Sequence, residues 1–454
     1  MSRKISPLEL YGRLPKKNCS ECGFSTCMAF AAAILAGTAK LEDCPYITEE
    51  ERTRIEELIA APVMKLTFGT RKPLSIGGAR VMHRHELKFY NPTAIAFKAT
   101  DAQGEEEVEA ATKRSLELRV ERLGENFGID AIAIASDSGK AETFSRAAGQ
   151  IMRITDLPII LCCSRPEILE AGLQACGTEK PLIFAAEKGT LESYIELATD
   201  HHAPLTVAHG DLGELRLMAK KASDASLDVA LCPVSQSLAE ALEKCITIRR
   251  AAIAHKIREF GHPIITVPPS LIKVSKTTQE SLWHESLLTS ALLFRYADAA
   301  ILENAEIEQM LPIITLRHGV FSDPRVPAKV KPGLYRLGKA GPDSPVLMTV
   351  NYALTYYLVS GDIDKAKVDC FLLVAETEGM SVLNALAGGQ LRAETVADLV
   401  KQINLNAAVN HRKIIIPGLA ARLRGEIEEL TGWEILVGPA ESRDIPLFLN
   451  RNAS

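Results

Sequence analysis

Three features are missing from this 454-residue chain, and each absence argues against a class of protein. Residues 1–7 lack the apolar segment of a signal peptide. The longest apolar run near them, at 28–36, is too short to span a bilayer. No long basic stretch occurs, and the formal net charge of −5 disfavours nucleic acid as the main partner. We therefore expect a cytoplasmic protein that functions without membrane or nucleic acid.

Cysteine is sparse along most of the chain but concentrated near its start. Cys19, Cys22, Cys27 and Cys44 have the spacing C-x2-C-x4-C-x16-C, and Pro45 follows directly. Four thiolates suffice to hold one cubane iron–sulfur cluster, and a proline after the last ligand recurs in ferredoxin-type sites. Structural zinc is the alternative, although four-cysteine zinc sites usually carry two close CxxC pairs. The spacing favours an iron–sulfur site.

Six further cysteines stand apart from this motif. They are Cys162, Cys163, Cys176, Cys232, Cys245 and Cys370. Most lie in apolar, strand-like runs, where a free thiol behaves as a small hydrophobic side chain. Cytosolic chains seldom use disulfides. We expect these six residues to be structural.

The length of the chain exceeds what one hydrophobic core supports, so several domains are expected. Residues 1–61 form the iron–sulfur domain, and residues 62–316 alternate strand-like and helical runs. The clearest strands are 93–99, 131–135, 158–163, 182–186, 205–208, 228–232, 263–267 and 299–302, with 66–68 as a further candidate. The helical runs include 106–124, 138–154, 191–199, 213–225 and 236–259. This alternation predicts a parallel sheet, as a TIM-like (β/α)8 barrel or a doubly wound open sheet.

Polar residues follow the predicted strands, where an active site of a barrel would lie. They are Asp137, Arg165, Glu187, Lys188, His209, Asp211 and Asn304, together with Pro233 and Pro268. Neither metal-ligand spacing nor a Ser/His/Asp arrangement connects them. The group His209-Gly210-Asp211 is the most suggestive, but helix capping and loop polarity explain these residues better.

Residues 317–345 change character. Prolines interrupt this segment at Pro324, Pro327, Pro332, Pro342 and Pro345. Such a segment cannot form a continuous helix or a central strand, so it is interpreted as a semi-rigid interdomain linker.

Residues 346–454 form another α/β domain, with strands predicted at 346–350, 370–375, 413–416 and 433–437 and a helix at 352–360. Three of these strands end in loops that contain glycine and small polar residues. Because parallel strands place such loops at one edge of the sheet, a large flat or phosphate-bearing ligand could approach the backbone there. No GxGxxG fingerprint is present, so a dinucleotide is not indicated.

The order of modules and three segments carry a resemblance to a known family. The segments are Thr-Glu-Gly-Met-Ser-Val-Leu at 377–383, His-Arg-Lys-Ile-Ile-Ile-Pro-Gly at 411–418 and Trp-Glu-Ile-Leu-Val-Gly-Pro at 433–439. With the cysteine motif, they closely resemble the large (gamma) subunits of corrinoid iron–sulfur proteins in the acetyl-CoA decarbonylase/synthase system. The resemblance spans essentially the whole chain.

The resemblance implies an α/β protein with a small N-terminal iron–sulfur domain, a TIM-like barrel and a C-terminal Rossmann-like corrinoid-binding domain. It implies a [4Fe-4S] cluster on Cys19, Cys22, Cys27 and Cys44. It places corrinoid contacts at Thr349, Asn351, Thr377, Glu378, Gly379, Met380, Ser381, Val382, Gly418, Gly438, Pro439, Ala440 and Glu441. The cobalt itself, rather than a side chain, is the implied nucleophile.

By the same resemblance, the protein is a corrinoid-dependent methyltransferase component of the reductive acetyl-CoA pathway. A pterin-dependent methyltransferase delivers a methyl group from a folate or methanopterin-type carrier to Co(I), and the nickel–iron cluster of acetyl-CoA synthase receives it. The small (delta) subunit completes the corrinoid site. A low-potential electron donor supplies the iron–sulfur cluster, which returns Co(II) to Co(I).

One absence agrees with this chemistry. Many B12 proteins bind cobalt through the histidine of Asp-x-His-x-x-Gly, and no such motif occurs here. Asp200-His201-His202 is followed by Ala-Pro-Leu. A base-off cobalt is easier to reduce, because axial ligation tunes metal potentials. An iron–sulfur electron-transfer protein with a flavin-binding tail and a reductive activator of another corrinoid protein are the alternatives.

Overall fold

The computed structural model describes residues 6–36, 39–59, 61–84, 86, 89, 91–122, 125–272, 277–323 and 326–451. Pro324 of the predicted linker lies outside these ranges. The chain divides into two compact units, Met1–Val120 with Gly128–Ser322 and Glu121–Phe127 with Asp323–Ser454. No helix within the described ranges is both long and apolar enough to cross a membrane.

The N-terminal residues of the first unit have a hydrophobic core of their own. The helices are α1 (Pro7–Tyr11), α2 (Cys27–Ala36) and α3 (Glu49–Ile59), and a 3₁₀ turn at Leu41–Asp43 precedes Cys44. Leu10, Phe30 and Ile55 pack in this core. The third and fourth motif cysteines belong to the same core, so packing of α2 positions Cys27 and packing of the 3₁₀ turn positions Cys44.

Residues 61–322 contain the predicted parallel strands of the first unit, together with two short strands at 120–122 and 125–127 that fall almost entirely in the second unit. The strands are β1 (Lys65–Phe68), β2 (Leu74–Gly77), β3 (Ala94–Thr100), β4 (Val120–Arg122), β5 (Glu125–Phe127), β6 (Ala131–Ala135), β7 (Ile159–Cys162), β8 (Leu182–Ala186), β9 (Leu205–His209), β10 (Val229–Pro233), β11 (Ile265–Thr266) and β12 (Ala299–Leu302). The helices are α4 (Glu105–Glu117), α5 (Ala141–Ile154), α6 (Pro166–Cys176), α7 (Leu191–Asp200), α8 (Leu212–Asp224), α9 (Leu238–Ile253), α10 (Thr278–Phe294) and α11 (Ile307–Phe321).

Eight of these strands form a nearly closed parallel barrel in the order β10-β9-β8-β7-β6-β3-β12-β11. A parallel bridge between Leu231 and Ile264 joins the two ends of the sheet. Small residues such as Ala94, Ala131 and Ala299 fill much of the interior. The structure therefore confirms the predicted barrel over the open-sheet alternative.

Two local predictions in this region differ from the structure. The candidate strand at 66–68 is β1, which pairs with β2 as an antiparallel hairpin and lies outside the barrel sheet. The predicted helix at 106–124 ends at Glu117, because Leu118 takes an extended conformation and β4 then pairs with β5. Amphipathic periodicity alone cannot distinguish the end of a helix from a short hairpin that follows it.

The second unit contains a five-stranded sheet of order β13-β15-β14-β16-β17. The strands are β13 (Gly333–Leu337), β14 (Val346–Val350), β15 (Cys370–Ala375), β16 (Lys413–Ile416) and β17 (Glu434–Val437). The helices are α12 (Ala353–Lys365), α13 (Val382–Gly388), α14 (Ala393–Gln402), α15 (Arg424–Thr431) and α16 (Ile445–Arg451). Four strands are mutually parallel, and β13 pairs antiparallel with β15 at one edge. Alternate residues of the strands pack into separate cores on the two faces.

The segment predicted as a linker, residues 317–345, contributes ordered elements. Its first residues complete α11, which contains Pro312, and residues 333–337 form β13. An edge strand tolerates nearby proline because one side of its backbone needs no partner. The segment is therefore partly integrated into folded structure. The predicted helix at 352–360 also differs, since α12 continues through Gly361 to Lys365.

Candidate functional sites

All four motif cysteines line one small cavity. Cys27 and Cys44 are buried, Cys22 is half-buried and Cys19 is exposed. Asn18, with a left-handed φ of 48°, closes the loop onto the start of α2. Its side-chain oxygen accepts a hydrogen bond from the backbone N–H of Cys27 at 2.8 Å, and its own backbone N–H lies 3.4 Å from the Cys27 sulfur. The cavity thus presents four thiols.

Four cysteine thiols on one cavity are the donor set that a cubane iron–sulfur cluster uses. Within the described ranges, no three His, Cys, Asp or Glu side chains come close enough to hold one metal ion. Tetrahedral zinc needs its four ligand atoms around one centre. In a cubane cluster each thiolate binds a different iron atom, so the sulfurs stand further apart. The convergence of four thiols on one cavity therefore fits an iron–sulfur cluster.

Aromatic and charged residues border this cavity. The Tyr46 hydroxyl donates a hydrogen bond to Glu21 at 2.7 Å, and the Lys17 ammonium lies 3.5 Å from the centre of the Tyr46 ring. The hydrogen bond to Glu21, followed by the charge of that carboxylate, raises the pKa of Tyr46. Tyr46 therefore stays protonated beside the thiols at neutral pH.

The six other cysteines are free, and five of them are buried, with Cys162 half-buried. Burial raises the pKa of Cys162, Cys176, Cys232, Cys245 and Cys370 to about 12. A thiol with such a pKa is rarely the reactive thiolate. The structural interpretation of these residues agrees with this environment.

The polar residues at the barrel mouth make local contacts, and one of them, Asp211, caps a helix. Asp211 accepts a hydrogen bond from Glu214 N–H at the start of α8, and its own N–H donates to His209 Nδ1 at 3.0 Å. Asp137 accepts from Thr100 Oγ1. The expected capping role therefore accounts for the suggestive group of His209 and Asp211.

The carboxyl ends of β14, β15, β16 and β17 lie at one edge of the second unit's sheet, and the predicted corrinoid contacts follow them. Gly418 N–H donates to the Pro439 carbonyl at 3.0 Å, and Gly438 N–H donates to Ile416. A Cβ on Gly418 would lie 2.8 Å from the Gly438 oxygen and 2.9 Å from the Ala440 nitrogen. Two of the predicted loops are therefore in direct contact, and glycine at 418 is a steric requirement.

The loop after β15 is organised by Asn351, which is completely buried. Its Oδ1 accepts hydrogen bonds from Thr377 N–H at 3.0 Å and from Gly379 N–H at 3.1 Å, and it lies 2.9 Å from the Thr377 hydroxyl. Its Nδ2 donates to Glu376 at 2.8 Å. Glu378 and Gly379 have φ angles of 56° and 75°, so the turn relies on these anchors. Asn351 holds the loop rather than lining a cavity.

Two cavities lie along this edge. The smaller, about 130 Å³, is lined by Thr349, Val382 and the segment from Gly438 to Glu441. The larger, about 690 Å³, is lined by Gly379, Met380 and Ser381. Of the remaining predicted contacts, Thr377 is buried, and Glu378 and Gly418 line neither cavity.

Thr349 carries an unusual polar atom. Its side chain is 1% exposed, and its hydroxyl oxygen has no hydrogen-bond partner among the described residues. A buried hydroxyl without a partner costs free energy unless a ligand or water pairs with it. Thr349 also lines the smaller cavity, so its hydroxyl is the candidate partner for a group bound there.

The cavity walls also include residues that the sequence did not predict as ligand contacts. They are Tyr352, Leu354, Thr355, Tyr357 and Val359 from the start of α12, with Leu419, Ser442 and Ile445 from the later loops and Pro327, Ala328 and Glu121 from distant segments. One sequence signal could have pointed to α12. Leu354 and Leu358 lie four residues apart, and both are exposed, so they mark an apolar outer face of this helix. Glu121 could be placed only by the tertiary structure.

Known proteins show strong similarity to this chain. A family model described as the CO dehydrogenase/acetyl-CoA synthase delta subunit matches residues 65–449, and one whose description names an Fe–S cluster matches residues 14–46. The gamma subunit of the acetyl-CoA decarbonylase/synthase complex of Methanothermobacter thermautotrophicus is 37% identical over 99% of this chain and 100% of its own. The corrinoid/iron-sulfur protein large subunit of Moorella thermoacetica is 35% identical over 99% of both chains.

Among solved structures, dihydropteroate synthase of Thermus thermophilus matches 55% of this chain and 98% of its own at 14% identity and a TM-score of 0.39. The family model takes its name from the delta subunit but leaves out the cysteine motif. The gamma and large-subunit relatives match the chain through that motif as well. This chain therefore belongs to the family of acetyl-CoA decarbonylase/synthase gamma subunits and corrinoid/iron-sulfur protein large subunits.

Proposed function

We propose that this chain is a corrinoid iron–sulfur methyl carrier that binds a base-off corrinoid at the carboxyl edge of its second unit and a [4Fe-4S] cluster on its four motif cysteines. When bound, the corrinoid supplies a cobalt that as Co(I) takes a methyl group from a methyl-tetrahydropterin and yields it to the nickel–iron cluster of acetyl-CoA synthase. The observation that carries the proposal is the unpartnered hydroxyl of Thr349, a residue that lines a cavity built from three of the predicted loops.

The sheet topology supports ligand binding at this edge. The parallel strands have the order β15-β14-β16-β17, so the chain leaves β14 in one direction and later returns to its other side. Doubly wound, Rossmann-like sheets bind ligands outside the carboxyl ends of the strands at such a switch point. Thr349 ends β14 next to this point, and the loop at Gly418 follows β16.

The residues of this edge divide into two roles. The Thr349 hydroxyl would pair with a polar group of the ligand, and the close contact of Gly418 with the 438–440 backbone keeps side chains out of its path. Met380 and Ser381 offer a thioether and a hydroxyl in the larger cavity. Asn351 would act as a positioning residue, because it fixes the turn that presents them.

The base-off state has support from the only histidine of residues 323–454, His411. Its Nε2 lies 2.9 Å from the Ser344 carbonyl, and its Nδ1 accepts from Lys413 N–H at 3.2 Å. His411 precedes β16 and so lies at the amino end of the strands, opposite the carboxyl edge. This unit therefore offers no histidine to ligate cobalt from below.

An iron–sulfur cluster bound by the four motif cysteines would supply the electron that restores Co(I) after accidental oxidation. An external low-potential donor would then reduce the cluster again. The small (delta) subunit, a pterin-dependent methyltransferase and acetyl-CoA synthase are the proposed protein partners. The methyl donor would be a folate or methanopterin-type carrier. The subunit names of the relatives support membership of a multisubunit complex.

The first experiment is an anaerobic absorbance spectrum of the full chain, co-expressed with the small subunit and a corrinoid supply. We expect corrinoid bands that convert to a Co(I) spectrum with a low-potential reductant. Thr349→Val, which matches the shape of threonine and lacks its hydroxyl, should lower the corrinoid content, whereas Thr395→Val on the far helix α14 should not. A cluster spectrum alone would overturn the proposal, and flavin bands would establish the electron-transfer alternative.

A further inference from the structure

A second cavity, within the first unit, concentrates arginine side chains in a chain of net negative charge. Its volume is about 570 Å³. It is bordered by the turn after β2, the residues between α10 and β12, the end of α11 and Arg249 of α9. Because the loop at 295–298 leads into β12, the cavity lies at the amino end of that strand, opposite the mouth where barrel active sites lie.

Four arginines dominate the polar lining of this cavity, which also includes Asn91 and Tyr296. Arg80, His83, Arg84, Arg249 and Arg295 line it, and Asp298 is the one carboxylate among its described lining residues. Arg84 is engaged with the backbone carbonyls at the end of α11. Arg80 and Arg295 are exposed at the rim. The Arg295 guanidinium lies 4.8 Å from the centre of the Phe294 ring, a contact that leaves its N–H groups free to donate. Both guanidinium groups are therefore available to an anion.

Arg249 forms part of the wall and is only 2% exposed. Its Nη2 donates to the Tyr296 carbonyl at 2.9 Å and to Asp298 at 2.5 Å. Its Nε and Nη1 have no partner among the described residues. Tyr296 takes a left-handed φ of 75°, rare for a bulky residue, in the turn that supplies this carbonyl. Asp298 balances the charge of Arg249, so this residue contributes two buried N–H donors without a partner rather than a net positive charge.

The remaining lining is apolar. Val81, Met82, Leu293, Leu316, Val320 and Phe321 line this part of the cavity. Guanidinium groups match carboxylate and phosphate oxygens in geometry, whereas an apolar wall favours a hydrocarbon or aromatic body. The volume lies within the range of small-molecule sites. We propose that this cavity binds a small organic anion with a phosphate or carboxylate head at the arginine rim and an apolar body inside.

The test uses calorimetric titration of the full chain, purified anaerobically with its cofactors, in phosphate-free buffer. Phenyl phosphate is the probe, inorganic phosphate tests the charge alone, and benzyl alcohol tests the apolar body alone. We expect phenyl phosphate to bind at least about tenfold more tightly than either control. Equal binding of phenyl phosphate and inorganic phosphate, or no binding of phenyl phosphate, would overturn the proposal.

A pair of variants locates the site. Arg80→Gln with Arg295→Gln should weaken phenyl phosphate binding by at least about tenfold, since charge-assisted hydrogen bonds to the head are lost. Arg153→Gln with Arg336→Gln removes the same total charge from exposed arginines elsewhere and should change affinity less than about twofold. Undiminished binding by the first pair, or an equal loss in both, would refute this location. If the double variant no longer shows a cooperative melting transition, Arg80→Gln and Arg295→Gln can each be tested alone.

Discussion

The loop after β15 depends on a single buried side chain, and replacing Asn351 tests that dependence. Asn351→Leu keeps the approximate volume but removes the oxygen that accepts from Thr377 N–H and Gly379 N–H. Each buried amide left without an acceptor costs about 1–3 kcal/mol, so local opening should become easier by about 2–6 kcal/mol. The loop would then lose the conformation that presents Met380 and Ser381.

Hydrogen exchange of individual amides measures this effect directly. A loss of 2 kcal/mol corresponds to about 30-fold faster exchange, so the amides of Thr377 and Gly379 should accelerate at least that much. Asn410→Leu is the matched control. Asn410 is exposed, and its side chain donates through Nδ2 to Asp343, away from the loop after β15. Core amides of β14 should be unchanged in both variants.

Asn351→Asp separates the acceptor from the donor. Its carboxylate still accepts from the two loop amides but places an oxygen where Nδ2 now donates to Glu376. Protection should therefore lie between that of the wild type and Asn351→Leu and should improve as the pH falls. The assigned role of Asn351 would be refuted if the amides of Thr377 and Gly379 exchanged at the same rates in Asn351→Leu and in Asn410→Leu.

Three further predictions concern stability and redox function. Burial alone would raise the pKa of Glu179, but hydrogen bonds from Thr70 and Arg71 outweigh it and hold the pKa below its usual value. The ionised Glu179 carboxylate therefore stabilises the fold above the unfolded-state pKa, and this stabilisation is lost in acid. In urea unfolding, Glu179→Gln should lower the free energy of unfolding by about 1–3 kcal/mol at pH 7 but by little near pH 3. An equal loss at both pH values would contradict this. Burial lowers the pKa of His262 to about 4, so stability should fall between pH 6.5 and 4 by about 3 kcal/mol, and His262→Asn should abolish that component of the unfolding profile. Cys22→Ala should spare methyl transfer from pre-reduced protein but abolish reactivation of oxidised cobalt, and normal reactivation would refute the proposed role of the cluster.

Sequence patterns predicted the barrel well because each strand is a short, almost fully apolar run. The strand at Ala131–Ala135 begins and ends as predicted, and all five of its residues are buried. The predicted strand at 263–267 shrinks to Ile265–Thr266. Hydrophobicity marks which residues are buried, but the length of a strand depends on how far its neighbours extend in register.

In the C-terminal domain, the glycines of the loops predicted contacts that the strand pattern alone did not. Glycine at 418 and 438 suggested close backbone approach, and the structure shows the two loops in contact. The role of Asn351 could not be derived, because its partners at 377–379 follow a different strand. The edge strand Gly333–Leu337 was also missed, since its pairing partner lies more than thirty residues along the chain.

The amino-acid sequence by itself determined the order of modules, the four thiols and the absence of a cobalt-binding histidine motif, because these depend on local composition and spacing. Only the tertiary structure decided which loops at this edge touch one another, that the Thr349 hydroxyl lacks a partner, and that arginines from separate segments surround one cavity. These features arise between residues far apart in the chain, and their energies depend on burial and distance, which no local pattern specifies.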